Sequence, residues 1–386
     1  MKPVFRCALL IACGWLLSAC SQTPPKDPVT SHAPASITKT DSVKVIAYYM
    51  GDGSDLGRYN FNQLTHIIYS FLHLKGNELR FDSAKDQEAM RKLVALKKTY
   101  PHLKVLLSLG GWGGCETCSD IFNSAENRKV FAQSTLKIIQ DYNADGIDLD
   151  WEYPTIEGYP GHKFAAHDRA NFSELVRELR HAVGDKYELS FAAGGFDKFL
   201  EAAVDWQTIM PLLNNVNLMT YDIVNGATPH TGHHTALYST PQQKDSTDNA
   251  VQKLLSLGVA PEKIVIGTAF YARSWKEVSM ANNGLYQAGI HIDGADYKEF
   301  PERYAPAAGF TYYWDDVAKA PYAYKPKQKI FATFDDQRSM GEKVRYLRKQ
   351  KLGGIMFWQL PHDTANNGLL NSINQNLKNT ENNIKH

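Results

Sequence analysis

Three carboxylates at a spacing of two are the feature of this sequence with the clearest capacity for chemistry. In DGIDLDWEYP, residues 145–154, Asp148, Asp150 and Glu152 alternate with the apolar residues Ile147, Leu149 and Trp151. A period of two is the strand period, so the three acids share one face and the apolar set the other. Cα atoms two residues apart on a strand lie roughly 6.6 Å from one another, close enough for the side chains to interact. Two carboxylates about 4 Å apart at an effective dielectric near 20 repel by about 4 kcal/mol, or roughly three pKa units. The three cannot all ionise at neutral pH, and such a stack shares a proton and titrates as a coupled set. A proton retained on Glu152, at the end of the stack, is what a general acid requires. The bland alternative is a solvated edge strand that happens to be acidic. Three aligned acids are costly unless they line a site.

Placing these acids requires a rigid frame. From residue 43 onward, short β-rich runs alternate with longer helical patterns. The runs 43–50, 66–71, 103–109, 145–151, 188–194, 216–221, 263–270 and 354–358 read as strands. Several are almost wholly apolar, as parallel strands covered on both faces are. Helical patterns fall between them at 86–98, 125–142, 169–183, 248–257 and 339–350, with Ser246-Thr247-Asp248 and Asp335-Asp336 as start signals. Eight such units predict an α/β fold, a (β/α)8 TIM barrel built from 43–275 and 334–386. Residues 276–333 interrupt it, rich in Tyr, Gly and Pro and without a long helical period. That stretch is too long for a loop and is expected to form a small α+β insertion between the seventh and eighth strands.

Chemistry in such a barrel sits at the C-terminal ends of the strands. Those ends carry Tyr48-Tyr49, Ser70-Phe71, the SLGGW run from Ser108 to Trp112, the acid stack, MTYD (Met219 and Tyr221 with Asp222), FYARSW (including Arg273) and Phe357-Trp358. One aromatic at one end is ordinary core. A ring of polar-tipped aromatics and carboxylates at successive ends is hard to explain by packing alone.

Asp145, Asp148, Asp150 and Glu152 in the pattern DxxDxDxE, followed by Tyr153 and Pro154, resemble the signature of glycoside hydrolase family 18, the chitinases. The resemblance spans about 43–375 and implies a TIM barrel with a small domain in the position of 276–333. It implies retaining hydrolysis of β-1,4 bonds between N-acetylglucosamine units, with no cofactor. A two-carboxylate retaining glycosidase needs a nucleophile across the sugar from its acid, whereas the extra acids here lie beside Glu152 on its own strand. Family 18 instead uses the substrate's 2-acetamido group, forming an oxazolinium ion. The resemblance makes Glu152 the acid and base, Asp150 the partner of the acetamido N–H, Asp148 the residue sharing its proton, and Tyr221 the donor to the acetamido oxygen. It makes Trp358 the floor under the cleaved sugar, with Tyr48 and Ser108 behind Asp148. Asp222 and Arg273 would bind sugar hydroxyls, and Phe71, Trp112 and Met219 would shape the walls. Relatives that lost the acid act as lectins, a reading that the intact stack disfavours. An endo-β-N-acetylglucosaminidase on N-glycans, or an enzyme on peptidoglycan, stays open as the alternative.

The chain has 386 residues and a formal net charge of +1, with both signs mixed throughout. That balance disfavours nucleic acid as a partner. The 20 Tyr and 7 Trp exceed what a core needs and suit the flat faces of sugar rings. Lys2 and Arg6 precede an apolar run, 7–17, that is too short to span a bilayer and reads as a signal peptide over 1–19. Leu17-Ser18-Ala19-Cys20 resembles a bacterial lipobox, which implies an exported protein anchored to the cell envelope through an acylated Cys20. Ordinary cleavage after Ala19 is the alternative. Ser21 after the cysteine implies the outer membrane in a Gram-negative cell. Residues 20–42 are polar and Pro-rich, a tether rather than a folded element. The remaining cysteines, Cys115 and Cys118, read as a short-range disulfide in an exported protein; no further ligands accompany them for zinc. His230, His233 and His234 sit on a Gly/Thr-rich loop without metal-ligand spacing. The protein is expected to be a monomer.

Overall fold

The computed structural model describes residues 43–384; the expected signal peptide, Cys20 and the tether lie outside the described residues. Eight strands run parallel: Lys44–Tyr49, His66–Lys75, Lys104–Gly110, Gly146–Asp150, Glu188–Gly194, Asn215–Met219, Ile264–Ala269 and Gly354–Trp358. Each pairs with its sequence neighbour in the set, and the first pairs with both the second and the eighth, so the sheet closes. The fold is the expected (β/α)8 barrel. Closure leaves none of the eight barrel strands as an open edge, and it forces their side chains alternately inward and outward.

The fourth strand shows what that alternation does. Ile147 and Leu149 join the large outer core, with Phe131, Phe172 and Phe191 packed between the strands and the surrounding helices. Their neighbours Asp148 and Asp150 face the barrel interior, also buried. A smaller inner core of Ile46, Tyr48, Ile68, Leu106, Val265 and Met356 fills the axis beneath them. Helices Ala125–Tyr142, Asp168–Val183, Thr247–Ser256 and Gln337–Gln350 start where the residue chemistry allows. Ser246 accepts from Asn249 N, and Asp336 forms a reciprocal capping box with Ser339.

Three features differ from the sequence reading. The second strand continues past Phe71 to Lys75 and turns at Gly76 (φ 63°) into a hairpin with Glu78–Arg80. After the fifth strand, where the sequence reading places no helix, two short ones form, Asp197–Ala202 and Trp206–Ile209. A final helix, Leu369–Ile384, was not expected because its amide-rich sequence obscures the apolar stripe of Leu369, Leu370, Ile373 and Leu377.

An antiparallel five-stranded sheet follows the seventh barrel strand, in the order Ile290–Ile292, Arg273–Lys276, Ile330–Thr333, Ala320–Lys325, Thr311–Asp315. It begins at Arg273, inside the stretch assigned to the barrel, because Arg273 pairs with Thr333 and Trp275 with Phe331. Phe300, Tyr304, Phe310 and Phe334 pack on one face with Ala323 and Ala332. Trp275, Leu285, Tyr322, Tyr324 and Phe331 pack on the other.

One buried ion pair ties these parts together. Lys343 Nζ donates to Asp335 Oδ2 at 2.7 Å and Oδ1 at 2.9 Å, with both side chains fully buried. Asp335 also accepts from Ser339 Oγ, Thr235 Oγ1 and the backbone N of Ala269, at the end of the seventh strand. Helix Gln337–Gln350, the 230–238 loop and the seventh strand therefore meet on one carboxylate. Removing one partner of such a pair strands a charge in the interior. Lys343→Met is expected to cost about 3–5 kcal/mol in denaturant unfolding, and Asp335→Leu in the same chain to recover part of it. A loss below about 1 kcal/mol for Lys343→Met would contradict the role of this pair.

Candidate active site

Asp148 sits fully buried on the fourth strand. Strand register places Ser108 on one side of it and Ser190 on the other. Ser190 Oγ donates to Oδ1 at 2.5 Å, and Asn217 Nδ2 reaches the same oxygen at 3.0 Å. Tyr48 Oη donates to Oδ2 at 2.9 Å, with Ser108 Oγ at 3.4 Å. Four other strands thus contribute one donor each. Burial pushes the Asp148 carboxyl up to about 6, and the four donors limit the rise. Tyr48 and Ser108 were expected here; Ser190 and Asn217 were not. Asn217 lies two residues before Met219, on the inward face of the sixth strand, so alternation could have found it.

Asp150 ends the fourth strand, opposite Gly110. It is buried, and its Oδ1 has no partner among the described residues. Burial, and then the charges of Glu152 and Asp148, push its carboxyl well above the usual range. The glycines of SLGGW make room for this arrangement. A Cβ on Gly110 (φ 109°) would stand 2.3 Å from the Asp150 carbonyl oxygen, and one on Gly111 (φ 83°) would meet the Phe71 ring at 2.5 Å.

Glu152 lies two residues past the strand end and is half-buried. Burial, and then the negative charge of Asp222, push its carboxyl up to about 8. Asp222 stays ionised. Burial opposes that, but His234 and the Arg273 guanidinium outweigh it and hold Asp222 far below the usual carboxylate range. Arg273 clamps it bidentately, Nε to Oδ1 at 2.7 Å and Nη2 to Oδ2 at 2.6 Å. His234 Nδ1 lies 3.5 Å from Oδ1, an ion-pair distance rather than a hydrogen bond, and burial lowers its own pKa. His233 bonds Asp315 Oδ2 at 3.1 Å, so these two histidines serve separate acids.

Tyr221 lies at the site with its hydroxyl 3.9 Å from Met356 Sδ, a weak acceptor that leaves the O–H available. Trp358, at the end of the eighth strand, stacks on Phe71 (5.6 Å, 14°) and tilts against Tyr48 (6.0 Å, 45°). The peptides Ser70–Phe71 and Trp358–Gln359 are both cis. Met219 packs with Tyr221 and Trp358 against the inner core. Trp112 stands at the rim of this group, exposed, edge-on to Tyr153. Cys115 and Cys118, just beyond Trp112, are joined as a disulfide. The arrangement offers a proton on Glu152, a buried unpaired acceptor on Asp150, an available phenol donor and an aromatic floor.

The signs of these shifts set a pH dependence. Glu152 holds its proton up to about pH 8, so a reaction needing Glu152 as an acid should lose rate as pH rises through about 8. Between the usual carboxylate range and that value the unfolded chain ionises this group and the folded chain does not, so stability falls across the window. Glu152→Gln should therefore be more stable than the parent at pH 8 and gain little below pH 5. Asp222→Asn removes the charge that raises Glu152 and should move the basic limb of the rate profile to lower pH. An unmoved basic limb would contradict the coupling.

The match to known proteins is broad. The family model for glycosyl hydrolases family 18 matches residues 44–363. Chitinase A1 of Niallia circulans is 34% identical over 75% of this chain and 44% of its own length. Chitinase B of Serratia marcescens is 30% identical over 81% of this chain and 76% of its own length. The solved structure of a family 18 N-acetylglucosaminidase from Paenibacillus barengoltzii superposes with a TM-score of 0.80 at 34% identity, covering 87% of this chain and all of that one. Fold, acid stack and sequence agree, and this chain belongs to the glycosyl hydrolases of family 18.

Proposed function

We propose that the chain is a retaining chitinase that uses the substrate's own acetamido group as its nucleophile. The observation that carries this reading is the buried, unpaired Oδ1 of Asp150, an acceptor that suits the acetamido N–H. The neighbouring acids are already committed: Asp148 accepts from four donors, and Asp222 is clamped by Arg273. Neither is free to attack a sugar carbon.

Glu152 gives its proton to the glycosidic oxygen as the C1–O bond breaks. The acetamido oxygen, oriented by the Tyr221 hydroxyl, bonds to C1 from the opposite face. The N–H of the resulting oxazolinium ion donates to Asp150, whose negative charge stabilises it; Asp148 takes up the proton that Asp150 releases. Water then attacks C1, Glu152 accepts the water's proton, and the acetamido group re-forms with the β-configuration restored. Trp358 stacks under the sugar at the cleavage point, while Phe71, Met219 and Trp112 shape the groove. Asp222 and Arg273 bind sugar hydroxyls, and the negative charge of Asp222 helps keep Glu152 protonated.

Chitin as substrate rests on the chitinases among the relatives. The N-acetylglucosaminidase among the similar structures supports a second reading, in which the same chemistry acts on an N-acetylglucosaminide other than chitin, with N-glycans or peptidoglycan as the candidates. The apolar N-terminal run and Cys20 support an exported, acylated protein held at the cell envelope.

The purified protein is expected to convert an N-acetylglucosamine hexamer into dimers and trimers that appear first as β-anomers. Release only from peptidoglycan or a glycoprotein would move it to the second reading. Glu152→Gln should bind the hexamer and turn it over about 10²–10⁴-fold more slowly. Unchanged turnover would overturn the assignment of the acid.

A further inference from the structure

Three large aromatic residues stand exposed on the two loops that flank the acid stack: Trp112 (52%), Tyr159 (38%) and Phe164 (46%). Core packing does not account for them, because their rings contribute little buried area. Two of the three form a continuous surface. Trp112 meets Tyr159 at 5.9 Å and 63°, and Tyr159 lies over His162 at 4.5 Å and 37°. Gly113, next to Trp112, leaves room for the tyrosine: a Cβ there would come 3.3 Å from the Tyr159 ring.

This surface is fixed to the catalytic strand. Tyr153, the residue after Glu152, is buried beneath it. Its hydroxyl donates to the Trp112 carbonyl at 3.1 Å and hydrogen-bonds His162 Nδ1. The loop that carries Tyr159 is anchored by Asp168, a fully buried carboxylate. Asp168 accepts from Ser119 Oγ at 2.8 Å, Thr155 N at 3.3 Å and Ala165 N at 2.7 Å. Lys163 adds a pair with Asp120 at 2.6 Å. The aromatic surface is therefore preorganised, with polar edges supplied by the exposed Tyr159 and the half-buried His162. A ring face beside a hydroxyl and an imidazole suits a pyranose, which has an apolar face and a polar rim.

We propose that Tyr159, with His162 beside it, extends the groove beyond Trp112 as an additional binding platform for one N-acetylglucosamine unit. The platform makes the protein discriminate by substrate length. This rests on the chitinase reading above. Continuity with Trp112 and Tyr153, which join the platform to Glu152, selects the saccharide over another occupant.

The test compares kcat/KM for the hexamer and the trimer in Tyr159→Ala and Tyr159→Phe. The alanine variant should lose about five- to tenfold on the hexamer and stay within about twofold on the trimer, while the phenylalanine variant, which keeps the ring, retains most of the hexamer activity. Equal losses on both oligomers, or none on either, would overturn the platform. Calorimetric affinity for the hexamer, measured in Glu152→Gln with and without Tyr159→Ala, separates the two proposals. Tighter hexamer binding with Tyr159 present would uphold the platform even if the parent protein cleaves neither oligomer, a result that would fail the functional reading alone. Equal affinities would overturn the platform whatever the turnover.

Discussion

The structure depends on keeping a column of acids in a space that water barely reaches. A carboxylate buried without donors would neutralise itself or unfold the barrel. Asp148 survives there because the strand register brings Ser108 and Ser190 alongside it, and the barrel's curvature brings Tyr48 and Asn217 across from other strands. With Asp148 held, Asp150 above it is pushed toward its protonated form by burial and by the charges of Glu152 and Asp148, and Glu152 by burial and by Asp222.

A second acid works in the opposite sense. Asp222 remains ionised because Arg273 clamps it, and its charge adds to the pressure on Glu152. Arg273 is also the first residue of the five-stranded sheet, paired with Thr333. Two residues beyond Thr333, Asp335 is locked to Lys343, Thr235 and the end of the seventh strand. The electrostatics near Glu152 are therefore mechanically linked to that sheet through one short connection. Stability and protonation state are coupled because the same buried charges determine both.

Most of the frame could be read from the sequence, because barrel strands are short apolar runs and their helices start with recognisable caps. The strands 188–194 and 354–358 and the helix 125–142 fall on the boundaries read from the pattern. The acid face was legible from its period of two. What was not legible depends on contacts between distant residues. Ser190 and Asn217 look like ordinary strand residues until the register sets them beside Asp148. Asp335 read only as a helix start, although the adjacent Asp336 is the cap and Asp335 is the buried hub. The hairpin at Gly76 lies beyond the aromatic Phe71, where the strand pattern ceases to be readable. His234 sits beside Asp222 through the packing of a loop that has no period to read.

The most direct measurement is the dependence of rate on the acyl group carried by the sugar nitrogen. A series of chromogenic chitobiosides in which the acetyl group is replaced by mono-, di- and trifluoroacetyl weakens the acyl oxygen as a nucleophile while leaving the leaving group and the ring alone. If the acetamido oxygen attacks C1 with Glu152 as acid, kcat/KM should fall steeply and progressively along the series. A rate independent of fluorination, accompanied by a sugar covalently attached to one of the buried aspartates, would contradict the account.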